Sequence, residues 1–191
     1  VHENIDARIY PHGWRTSKFD DRAWNTPVTR PPFGSGVAAK EALPVALRSL
    51  PATKFSLLPP PAPLADSAPP TYRYVIDYGR NFQGHVNISF ATGVPGQQVT
   101  VRLGEQLLTN GSVKFHAEST NLWEDQWTLS GQPGENFVPH EYSEFRWAEV
   151  IGAPEPPTHA MISGWQVHYP FNANLNEELR VSSDLASSSE L

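Results

Sequence analysis

The chain has 191 residues, of which 39 % are hydrophobic, 18 % charged and 11 % aromatic, a composition that excludes a disordered chain and a length that suits one ordinary domain plus a fragment, or two small domains. A net charge of -6, with no cluster of Lys and Arg longer than a dipeptide, excludes a surface that tracks nucleic-acid phosphates. Cysteine is absent, which removes disulfides, thiolate nucleophiles and Cys-ligated zinc, and no apolar run approaches the roughly 20 residues of a membrane-spanning helix.

In chain order, Val1-His2-Glu3 has neither a Met nor the build of a signal peptide, so the sequence reads as starting inside a longer protein of open compartment. Residues 1–26 are aromatic and polar without a helical period, which predicts the closing strand and loop of an incomplete N-terminal β module. Residues 27–71 carry dense prolines, among them Pro31-Pro32, Pro59-Pro60-Pro61 and Pro69-Pro70. Proline fixes φ and lacks the amide hydrogen, so this stretch is expected to be an extended connector with little regular structure and one short helical turn around Ala38 to Leu47.

From Tyr72 the pattern turns to short alternating runs separated by Gly, Pro and Asn, and residues 72–170 are expected to form an antiparallel β-sandwich. Val86, Ile88 and Phe90 alternate with His85, Asn87 and Ser89, and Val99, Val101 and Leu103 with Thr100 and Arg102, so each run buries one face. Gly93-Val94-Pro95-Gly96 between them suggests a tight hairpin turn. Trp123, Asp125, Trp127 and Leu129 share a face, Phe145 to Ile151 supplies another strand around Val150, and Met161, Trp165 and Val167 line a last one. Residues 171–191 read as a linker and the start of a helix capped by Ser182-Ser183-Asp184.

These pieces carry a resemblance. Glu3-Asn4-Ile5-Asp6-Ala7-Arg8, Gly13-Trp14 and Phe19-Asp20-Asp21-Arg22-Ala23-Trp24 are similar to a segment of the N-terminal module of α-L-rhamnosidases, glycoside hydrolase family 78. Asp77-Tyr78-Gly79-Arg80-Asn81-Phe82-Gln83-Gly84 resembles the strand and turn that open that family's concanavalin-like domain. Glu105-Gln106-Leu107, Asn110-Gly111, Asp125 to Gly131 and Phe145 to Val150 follow in the family's order, and Ser183 to Leu191 is similar to the segment leading into its helical catalytic barrel. The resemblance implies an accessory region of an inverting glycosidase that removes terminal α-L-rhamnose, with the downstream barrel of the same polypeptide as partner. It implies no cofactor. The barrel's acidic signature has no counterpart here, so no catalytic residue is assigned to this chain. A free-standing carbohydrate-binding module is the alternative reading.

Among individual residues, tryptophan can stack on a pyranose C–H face. Trp127, Trp147 and Trp165 lie in alternating runs and read as core, whereas Trp14 and Trp24 lie in loop-like sequence and are candidates for sugar contact. Asp6 and Arg8, two apart on a strand, suit an ion pair or a ligand hydroxyl. Asp77 and Arg80 read as fold determinants around Gly79. The seven histidines, at 2, 12, 85, 116, 140, 159 and 168, show no zinc-ligand spacing, so no metal site is expected. Glu118, Glu124 and Asp125 cannot form a glycosidase site by strand parity, because adjacent Glu124 and Asp125 point to opposite faces.

Overall fold

A computed structural model describes residues 3–30, 44–60, 71–116 and 121–170. Nine strands form among them: β1 (Asn4–Asp6), β2 (Ala46–Pro51), β3 (Lys54–Leu58), β4 (Tyr72–Phe90), β5 (Gln98–Gly104), β6 (Glu124–Thr128), β7 (Glu135–Phe137), β8 (Ser143–Ala153) and β9 (Ile162–His168). They run in the order β1-β6-β5-β8-β4-β9-β2, with β3 and β7 also paired to β4. Every pairing is antiparallel except that of β1 with β6.

β4 makes this single path into a sandwich. Its first half, from Tyr72 to Asp77, pairs with β8 and β3. The register against β8 then slips between Asp77 and Phe82, where Gly79 takes φ +78°; β8 stays paired only through Gly84, and the second half takes β9 and β7 as partners in place of β3. A bulged strand that changes partners in this way turns a sheet's corner, so the sheet folds over its own apolar face. Val86, Ile88 and Phe90 on one leaf meet Tyr74, Ile76, Val101, Leu103, Trp127 and Val150 on the other in one buried cluster. Val86, Ile88, Phe90, Val99, Val101, Leu103, Trp127 and Val150, expected to be buried, are all buried.

Four expectations need correction. Residues 46–51 and 54–58 of the supposed connector are strands, paired to β9 and β4. Only Pro51 interrupts that window, and it closes β2 at the sheet's outer edge, where a missing amide is tolerated. Ala46 and Leu47, assigned to a helical turn, are therefore strand; residues 38–43 lie outside the described set, as do 171–191 with the suggested helix. The Gly93 to Gly96 turn does form, with Gln97 N–H donating to the Val94 carbonyl at 2.9 Å, but it does not make a hairpin. β5 pairs with β6 and β8, because the turn carries the chain from one leaf to the other. Alternation reports which face is buried and is silent on the partner strand.

Trp147 and Trp165 are only half-buried. On β9 the core side holds Ile162 and Gly164, not Trp165 and Val167: the position where a Gly164 Cβ would stand lies 2.9 Å from the Tyr78 ring and 3.1 Å from the Phe82 ring. Those two rings fill the site where a side chain would otherwise project. Trp147 faces out on β8, beneath the Arg146 guanidinium at 4.2 Å. Of the three strand tryptophans named above, Trp127 is buried, at 4 % exposure.

The outer face is pinned by a buried ion pair. Glu149 has no exposed surface; it accepts from Arg73 Nε at 2.7 Å and from Val113 N–H at 2.9 Å. Arg73 reaches on to Ser112 Oγ at 2.8 Å. The carboxylate thus ties the segment around Ser112 and Val113 across the sheet, with each partner hydrogen-bonded as burial of charge requires.

Candidate functional site

The N-terminal segment returns across the sandwich and is held there by one carboxylate. β1 adds to β6, with Asn4 opposite Gln126 and Asp6 opposite Thr128. Glu3 accepts from the backbone amides of His140 and Glu141 at 2.8 and 2.7 Å and from His140 Nδ1 at 3.1 Å. These bonds join residues more than 130 positions apart and bring Tyr10, His12 and Trp14 against the segment that follows β7.

A concavity of about 310 Å3 results. Tyr10, His12, Trp14, Arg15, Asn136 and His140 line it, with Trp127 and Val138 as its apolar side. Trp14 Nε1–H donates to Tyr10 Oη at 2.9 Å, and Tyr10 Oη lies 2.8 Å from His140 Nε2. In the tautomer whose Nδ1–H donates to Glu3, His140 Nε2 is an acceptor and the Tyr10 hydroxyl donates to it. A one-directional chain runs Trp14, Tyr10, His140, Glu3. It fixes the Trp14 ring from behind while leaving that side chain 40 % exposed. His12 Nε2 meets the Ala7 carbonyl at 3.2 Å, which leaves Nδ1 as an acceptor.

Of the residues anticipated from sequence, Trp14 alone lines this concavity. Trp24 is 52 % exposed and packs on Phe19 at 5.2 Å. Asp6 and Arg8 bond to each other, Arg8 Nε to Asp6 Oδ1 at 2.9 Å and the second arm to Oδ2 at 2.6 Å, and the guanidinium holds the Asp6 carboxyl below its usual range. Tyr10, His12, Asn136, His140 and Glu3 were not foreseen. The Tyr10, His12, Trp14 spacing was the one local hint; His140 and Asn136 reach the site through pairings the sequence does not display.

A second concavity, of about 280 Å3, lies among Glu105, Gln106, Lys114, His116, Trp123 and Glu144. Asn81 Nδ2 donates to Glu105 at 3.1 Å. Glu105 and Glu144 are exposed. The parity argument for β6 holds in the fold: Glu124 meets Arg102 at 2.7 Å, while Asp125 accepts from Glu3 N–H at 3.0 Å. Glu118 lies outside the described residues. Glu124 and Asp125, spent on these separate partners, do not converge on one sugar as either stereochemical route of glycoside hydrolysis requires.

Residues 68–168 match the family model described as the bacterial alpha-L-rhamnosidase concanavalin-like domain. An alpha-L-rhamnosidase of Streptomyces avermitilis is 29 % identical over 169 residues, which is 87 % of this chain and 15 % of that protein. The crystal structure of the Streptomyces avermitilis enzyme complexed with L-rhamnose superposes with a TM-score of 0.67, again over 87 % of this chain and 15 % of that one. An alpha-L-rhamnosidase structure from Dictyoglumus thermophilum gives a TM-score of 0.68 at 25 % identity, over 87 % of this chain and 18 % of that one. The chain thus spans less than a fifth of the length of these relatives.

Proposed function

Because this chain belongs to the bacterial α-L-rhamnosidase concanavalin-like domain family, whose model matches residues 68–168, we propose that it serves as the accessory β region of an enzyme removing terminal α-L-rhamnose. In this reading residues 72–170 brace a catalytic helical barrel of the same polypeptide, residues 1–26 end a preceding β module, and 171–191 lead toward the barrel. The general acid and the water-activating base of an inverting hydrolysis reside in the barrel.

The observation that carries the reading is the coincidence of the matched segment with the sandwich from Tyr72 to His168, together with carboxylates spent on structure. Glu149 pins Arg73, Glu124 pairs with Arg102, and Asp77 pairs with Arg146. Apolar side chains left at the sandwich edge suit a neighbouring domain: Leu57 on β3 is 65 % exposed, and Leu107 and Leu108 are 43 % and 46 % exposed.

The test is nitrophenol release from 4-nitrophenyl α-L-rhamnopyranoside. The 191-residue chain is expected to give background release, and a polypeptide extended through a helical barrel is expected to turn over; deleting 72–170 from the longer protein should lower its thermal midpoint. Turnover by the short chain that vanishes in Glu124→Gln or Asp125→Asn would overturn the reading.

A further inference from the structure

The geometry points to the concavity between the N-terminal segment and the β7–β8 connection as a non-catalytic subsite for a 6-deoxyhexopyranoside; the sugar class rests on the function proposed above, the site on its own geometry. A pyranose has one face of C–H bonds and a rim of hydroxyls, and a protein site answers with an aromatic plane and a few donors and acceptors. Trp14 supplies the plane. Its indole N–H is committed to Tyr10, and Tyr10 to His140, so the ring is held before a ligand arrives and little entropy is lost when one binds.

Polar capacity remains at the rim. His12 keeps Nδ1 as an acceptor once Nε2 is engaged with Ala7. Asn136 and Arg15 are exposed on the lining and offer amide and guanidinium groups. The Arg15 guanidinium lies over one face of the Trp14 ring, 5.1 Å from its centroid, so a sugar stacks on the opposite face and Arg15 can reach a hydroxyl at the ring's edge. Val138, 38 % exposed, and the wall at Trp127 provide an apolar position for the C6 methyl group, which in a hexose with a C6 hydroxyl would be a polar group against hydrocarbon. The volume of about 310 Å3 lies at the small end of ligand pockets and suits one sugar ring.

The role of the Tyr10, His140, Glu3 chain is positioning. Tyr10→Phe removes the hydroxyl that accepts from Trp14 and leaves the ring free to turn, whereas Trp14→Ala removes the contact surface itself. Neither position lies in the buried core, so both variants are expected to fold.

The experiment is titration of the 191-residue chain with methyl α-L-rhamnopyranoside, read by the indole N–H resonances in a 15N-correlated spectrum, with methyl α-L-mannopyranoside, which differs only by its C6 hydroxyl, as the control. Saturable, millimolar binding that shifts the Trp14 resonance is expected, about tenfold weaker for the mannoside. Trp14→Ala should abolish it, Tyr10→Phe should weaken it several-fold, and Trp24→Ala should leave it unchanged. No saturable shift with either sugar would overturn the subsite, as would binding that survives Trp14→Ala; equal affinity for the two glycosides would overturn the 6-deoxy assignment. Rhamnosidase activity of the longer polypeptide does not depend on any of these outcomes, so a failed subsite is distinguishable from a failed accessory reading.

Discussion

Replacing Glu149 by Ala should be among the most damaging single changes in this sandwich that leave the apolar core untouched. The carboxylate has no exposed surface, accepts from Arg73 and from Val113 N–H at 2.7 and 2.9 Å, and is the counter-charge of an arginine whose side chain is 24 % exposed. Removing one partner of a buried pair costs about 3–5 kcal/mol, chiefly because the other charge stays desolvated. Arg73 retains some access to water, which lowers that figure, but the orphaned Val113 amide adds about 1 kcal/mol. A loss of about 3–4 kcal/mol corresponds, at this chain length, to a fall of roughly 6–16 °C in the thermal midpoint. Urea unfolding followed by tryptophan fluorescence, with the m-value compared, measures it directly. The double variant Arg73→Met with Glu149→Leu should recover a large part of the loss, since two apolar side chains leave no buried charge. A single variant within about 0.5 kcal/mol of wild type, or a double variant as unstable as the sum of its parts, would refute the assignment of this pair as the pin of the outer face.

Two further predictions concern polar groups elsewhere in the fold. Tyr74 is wholly buried and its hydroxyl has no partner among the described residues, and burial pushes its pKa well up. Tyr74→Phe is therefore expected to be neutral or to stabilise by up to about 1 kcal/mol in urea unfolding, and a clear loss would mean that the hydroxyl is satisfied in solution. Asp77 accepts from both arms of Arg146, at 2.9 and 3.0 Å, which holds its carboxyl below the ordinary value of 3.8. The folded state releases this proton more readily than the unfolded one, so the interaction stabilises above that value and is lost as pH falls through the depressed folded value. Wild type should exceed Asp77→Asn by about 1 kcal/mol near neutrality, and the gap should close in acid; a gap independent of pH would contradict this.

Much of the fold was legible in local sequence. The alternation of Val86, Ile88 and Phe90 and of Val99, Val101 and Leu103 fixes which face is buried, because side chains on a strand point to opposite sides with period two. The same parity argument separated Glu124 from Asp125 and removed a local glycosidase site. Trp14 was legible as a loop-borne tryptophan, since nothing in its neighbourhood offers it a strand.

Only the tertiary structure decided the rest, and the reason in each case is that the deciding contact is distant in sequence. Nothing around Gly93 to Gly96 specifies that β5 leaves β4 for β8; that choice follows from closing two apolar faces over one core. Residues 46–58 became strands because β9 and β4 offered open edges, against the local disfavour of a proline-rich region. Trp165 turned outward because the rings of Tyr78 and Phe82 fill the space above Gly164. The concavity around Trp14 exists because Glu3 caps the amides of His140 and Glu141, a bond between chain positions that no local pattern links. Sequence determines which side of each strand is apolar; which strands meet, and which loops therefore face one another, is settled by burying all of those sides at once.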